Sequence, residues 1–220
     1  MSHPAPRTTK ARDPRAVARR ALFIIIPLAL ALNYWLQRPA EPGVQLPELR
    51  FSVPPDWRYL SRTGLTPQQG VLTVSPDALA EALGRGLTSP LFAVVKYERA
   101  VQGLNPMIGV NLALESGATP PDPRVILERS VAEVQASSDN GLRLLGDYEK
   151  LTISGNPAAR LLMTAAQELM EGQRRDILTV TVIVIGNVSI LITGSGASEG
   201  EDDISVPLER FLRALEATLN

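Results

Sequence analysis

A chain of 220 residues with no cysteine and a single histidine, His3, has no means of building disulfides, thiol chemistry or Cys-based metal sites. Its net charge of −1 hides an asymmetry: residues 1–20 carry Arg7, Lys10, Arg12, Arg15, Arg19 and Arg20 against Asp13 alone, about +5, and the remainder is about −6. An acidic folded part excludes a nucleic-acid binder, which needs a basic patch, while about 170 residues are enough to bury a core unaided.

The basic tail runs directly into an uncharged segment, residues 21–36, whose apolar and aromatic side chains include Phe23, Ile24, Ile25, Ile26, Leu28, Leu30, Leu32, Tyr34, Trp35 and Leu36. As a helix rising about 1.5 Å per residue it spans roughly 24 Å, short of a hydrocarbon core of about 30 Å. Arg19, Arg20 and Arg38 can extend their stems toward headgroups, and Tyr34 and Trp35 suit the outer interface. The positive-inside bias keeps the tail cytoplasmic, so the segment reads as a single-pass transmembrane anchor in a bacterial inner membrane, with the rest periplasmic or otherwise extracytoplasmic. Ala29-Leu30-Ala31 also offers a signal-peptidase site. The apolar character continues past it through Leu36, which favours an uncleaved anchor.

Residues 37–48, with Pro39, Pro42, Gly43 and Pro47, form a short semi-extended spacer, and one globular domain follows over 49–220. Leu49 to Val53 alternates and stops at Pro54-Pro55, a first strand. Val71 to Ser75 reads as a second, Pro76-Asp77 opens a helix to about Leu83, and Leu91 to Glu98 and Ile108 to Leu114 are further strands. Asp122-Pro123, a capping residue followed by a proline that needs no amide hydrogen, starts a helix carrying Ile126, Leu127, Val131 and Val134 to about Ser137.

The second half reads as strands over 148–154, 158–168, 176–185 and 188–193, with turns at Gly155-Asn156 and Gly186-Asn187. Ile177 to Ile185 is apolar on both alternating sets apart from Thr179 and Thr181, so it requires cover on both faces. Leu208, Phe211, Leu212, Leu215 and Leu219 recur at helical spacing and predict one closing amphipathic helix. The fold class is therefore α+β: an antiparallel sheet covered by helices on both faces, an α/β/α sandwich, preceded by the transmembrane helix.

Phe51-Ser-Val-Pro-Pro-Asp-Trp57 after the first strand, Ile153-Ser-Gly-Asn-Pro-Ala158 leading into a hairpin, and Ile190-Leu-Ile-Thr-Gly-Ser195 before the closing helix together resemble the PsbP-type fold. That superfamily includes the photosystem subunit PsbP, the Ran-binding Mog protein and bacterial envelope or chaperone relatives. The resemblance covers residues 49–219 and implies a non-catalytic domain that docks on other proteins, often a membrane complex. Trp57 then reads as a plug closing one end of the sheet, and Gly155 and Pro157 as turn formers.

Little in the chain points to chemistry. His3 lies in the tail, so no Ser-His-Asp triad or His-rich metal site forms in the domain. Gly194-Ser-Gly-Ala-Ser-Glu-Gly200 misses the dinucleotide fingerprint by one residue and fails the nucleophile-elbow pattern; it reads as a flexible loop. Glu199, Glu201, Asp202 and Asp203 are the densest acidic group and the weak candidates for a hard metal ion, with helix capping as the ordinary alternative. Arg174-Arg175 reads as a solvated strand end, and the sequon Asn187-Val-Ser189 as fortuitous in a tight turn.

No catalytic residue and no cofactor follow from these residues, so the chain is not expected to be an enzyme. The expected partners are the bilayer and an integral membrane protein complex, and PsbP suggests a photosynthetic reaction-centre complex as one candidate. The chain reads as an accessory subunit docking its domain on that complex, or alternatively as an envelope binding protein or chaperone for a hydrophobic ligand, lipid or client peptide.

Overall fold

The computed structural model describes residues 45–61, 65–84, 90–99, 105–115, 119–137, 142–165 and 176–218. The anchor segment 21–36 and Arg174-Arg175 lie outside them, and no helix among the described residues is long and apolar enough to cross a membrane.

Eleven strands and three α-helices follow one another among the described residues. In chain order they are β1 (Glu48–Ser52), β2 (Arg58–Ser61), β3 (Val71–Val74), α1 (Pro76–Gly84), β4 (Phe92–Val95), β5 (Met107–Leu114) and α2 (Pro123–Ser137). Then come β6 (Leu142–Leu144), β7 (Glu149–Ile153), β8 (Asn156–Ala165), β9 (Asp176–Ile185), β10 (Val188–Ala197), a 3-10 turn (Gly200–Asp202), α3 (Ser205–Arg213) and β11 (Glu216–Thr218). They form an eight-stranded antiparallel sheet, ordered β2-β4-β5-β10-β9-β8-β6 with β7 also on β8, and a small sheet ordered β11-β1-β3.

The pattern of β9 sets the layers. Ile177, Ile183 and Ile185 face one core with α1, α3 and the inner side of the small sheet, whereas Leu178, Val180, Val182 and Val184 face a second core with α2. Both sides of the strand are buried, as a two-sided apolar run requires. Asp122 caps α2 as the sequence predicts, its Oδ1 accepting the Arg124 amide at 2.9 Å. Trp57 is half-buried against the first core.

Three expectations change. The turn after β7 is Ser154-Gly155, with φ of 51° and 78°, and Asn156 already pairs with Ile153 in β8. Both turn residues take positive φ, as the two-residue hairpin turn matching strand twist requires. The closing helix ends at Arg213 instead of running to Leu219. Leu215 still reaches the core through a tight turn, and Glu216–Thr218 pair with the open edge of β1, so the backbone is satisfied by the sheet.

The segment read as a flexible loop is also different, because β10 continues through Gly194, Ser195, Gly196 and Ala197. Its glycines answer to close packing. A Cβ on Gly194 would lie 2.8 Å from Leu208 Cδ2, and one on Gly196 would lie 2.8 Å from both Asp202 O and Ile204 Cβ. Missing side chains thus let the chain leading into α3 settle on the strand. Gly196→Ala should lower unfolding stability by about 2 kcal/mol or more, whereas Gly146→Ala, with open space around its Cβ, should change it little. Urea unfolding of both variants measures the difference.

Candidate functional site

The acidic residues singled out in the sequence are dispersed among separate structural tasks. The end of β4 presents Lys96 and Tyr97 to the 3-10 turn after β10, where the Tyr97 hydroxyl donates to Asp202 Oδ1 at 2.7 Å and Lys96 Nζ lies 3.4 Å from the same oxygen. Lys96 Nζ also donates to the Glu201 carbonyl and sits 4.9 Å from the Tyr97 ring centre. Burial alone works against the Lys96 ammonium, but Tyr97 and Asp202 together outweigh it, so its pKa rises above the ordinary lysine value. Asp203 Oδ1 accepts the Ser205 amide at 2.8 Å at the start of α3, while Glu199 and Glu201 are exposed. Among the described residues no group of three or more His, Cys, Asp or Glu side chains is placed to hold a metal ion.

Asn105 exchanges hydrogen bonds of 3.0 and 2.9 Å with the Tyr97 backbone and fixes the same corner. Ser189, the hydroxyl residue of the sequon, is buried and donates to Glu115 Oε1 at 2.9 Å. Ser195 lies within β10, paired with Met107 and Leu178.

Two of the surface clefts are formed by described residues. The larger, about 540 Å³, lies on the outer face of the small sheet and is lined by Arg50, Ser52, Val71, Thr73, Glu216 and the Gln68-Gln69 turn. Arg50 spreads between Glu48 and Glu216 at 3.7 and 3.8 Å; all three are solvent-accessible, so these pairs contribute little. This side of the sheet is hydrophilic because Leu49, Phe51, Leu72 and Val74 all point inward.

The smaller cleft, about 290 Å³, lies between β7 and α3 and combines Leu151, Ile153 and Leu212 with Thr152, Ser154, Arg160, Glu209 and Arg213. Arg160 Nη1 donates to Glu209 Oε1, and Arg160 Nε lies 3.8 Å from Glu149 Oε2. Beneath it, the register sets Arg160 opposite Thr181, whose fully buried Oγ1 has no hydrogen-bond partner; Arg160 Nε has none either. Neither cleft was legible beforehand, since each is assembled from strands and a helix far apart in sequence.

The chain is similar in fold to LpqN. The crystal structure of LpqN, involved in cell envelope biogenesis of Mycobacterium tuberculosis, superposes with a TM-score of 0.53 and 17% identity over 82% of this chain and 90% of that one. Similarity at this identity shows a shared fold and nothing finer. The solution structure of cyanobacterial PsbP (CyanoP) from Synechocystis aligns with a TM-score of 0.47 and 13% identity, over 81% of this chain and 98% of that one. No family model and no curated protein matches the chain.

The Lys96 network carries a pH signature. A lysine whose pKa is raised on folding adds stability that is complete below its unfolded pKa and is lost as pH rises through the folded value. Asp202→Asn should therefore lower stability by about 1 kcal/mol at neutral pH, and the deficit should shrink above the ordinary lysine range. Denaturant titrations of both proteins across that range check it.

Proposed function

We propose that this chain is a non-catalytic accessory protein, held to a bacterial inner membrane by residues 21–36, that docks its folded domain on the outer face of a larger membrane protein complex. The observation that carries this reading is the order of the chain: an uncharged apolar segment, a spacer of roughly ten residues, then immediately β1. So short a tether keeps the domain beside the bilayer and raises its effective concentration against an embedded partner.

Two further features support it. The fold is shared with LpqN, which is described as involved in cell envelope biogenesis. Both clefts have polar as well as apolar walls, which suits docking against another protein better than enclosing a hydrophobic ligand. A photosynthetic partner rests on resemblance alone and is not part of the proposal.

Gentle detergent extraction followed by native sizing and mass spectrometry tests the reading. The full chain should co-migrate with a larger membrane assembly and keep its apolar segment. Migration as a free monomer carrying lipid, or a mature mass that begins after Ala31, would contradict it.

A further inference from the structure

Strand β7 is an open edge beside the smaller cleft, for among the described residues it pairs only with β8. The tight turn at Ser154-Gly155 makes Ile153 and Asn156 a hydrogen-bonded pair, and alternation extends this to Leu151 with Ala158 and Glu149 with Arg160. The backbone N–H and C=O groups of Lys150 and Thr152 therefore point away from β8, and no described strand pairs with them. On the α3 side this edge is flanked by half-buried Leu151, with Ile153 and Leu212 buried behind it and Arg213 exposed at the rim; on the other side stands Lys150. Lys150 and Arg213 are exposed cations without an ion-pair partner among the described residues, whereas Arg160 is matched by Glu209 and Glu149.

We propose that β7 receives an extended segment of a partner protein as an additional strand, with apolar residues toward Leu151 alternating with acidic residues toward Lys150. The outward groups of Thr152 supply main-chain hydrogen bonds, the cleft takes one side chain in two, and exposed Lys150 selects negative charge on the other face. The inference rests on the docking reading above and names its surface.

The probe is a labelled, capped peptide of alternating valine and aspartate, with a valine–lysine peptide as control, titrated against the full chain in detergent. The aspartate peptide should bind and the lysine peptide should bind more weakly. Thr152→Pro removes an amide that β8 does not use, so it leaves the β7–β8 pairing intact and should weaken binding about fivefold or more. Lys150→Glu, at an exposed position, should weaken the aspartate peptide about fivefold and strengthen the lysine peptide. Equal binding of both peptides, binding of neither, or unchanged binding by Thr152→Pro overturns the proposal. The two readings fail separately. A chain that co-migrates with its complex yet binds neither peptide refutes this surface and leaves docking standing, and one that binds the aspartate peptide at β7 yet migrates alone keeps the surface and refutes the membrane-complex reading.

Discussion

Three phenylalanines hold the layers of this fold together. Phe51 of β1, Phe92 of β4 and Phe211 of α3 come from the small sheet, the large sheet and the closing helix, and each is essentially fully buried. Phe51 packs edge-on against Phe92 with ring centres 5.0 Å apart and stacks on Phe211 at 5.5 Å. Large aromatic surfaces in such geometries contribute beyond their burial, by about 0.5–1.5 kcal/mol per pair. The cluster decides where the small sheet lies. With Phe51 in the core, the alternate residue Arg50 faces out and the larger cleft forms around it.

The same economy governs the large sheet. β9 is buried on both sides, so the chain must place α2 on one face and α1, α3 and the small sheet on the other. α3 can approach β10 closely only because Gly194 and Gly196 have no side chains there. Its descent also brings Glu209 to Arg160 and Leu212 to the wall of the smaller cleft, and the Ser154 hydroxyl donates to the Leu215 carbonyl where the helix ends. Core packing and cleft geometry are therefore set by one helix position.

Much of this was readable from residues alone. The two-sided apolar run of β9, the Asp122-Pro123 start of α2 and the stripe of Leu208, Phe211 and Leu212 each carry a local signal strong enough to survive tertiary context. The short strands β2, β6 and β11 were not legible, because three or four residues hold too little alternation, and β11 exists only because the edge of β1 lies in reach. The run from Gly194 misled because glycine marks a loop locally and a close approach globally, and only the second applies here. The bond from Tyr97 to Asp202 joins residues 105 positions apart and leaves no trace in spacing. The clefts share that obscurity, since β7 and α3 meet only through the folded core.

In the proposed reading, a sheet covered on both faces presents its β7 edge to a partner beside the membrane. Residue-resolved hydrogen exchange on the full chain, compared between native membranes and the isolated protein, tests this most directly. The amides of β9 and β10 should exchange slowest in both states, and the outward amides of Lys150 and Thr152 should be protected in membranes and exchange freely once the protein is isolated. Identical exchange at β7 in the two states, or early exchange of β9, would contradict it.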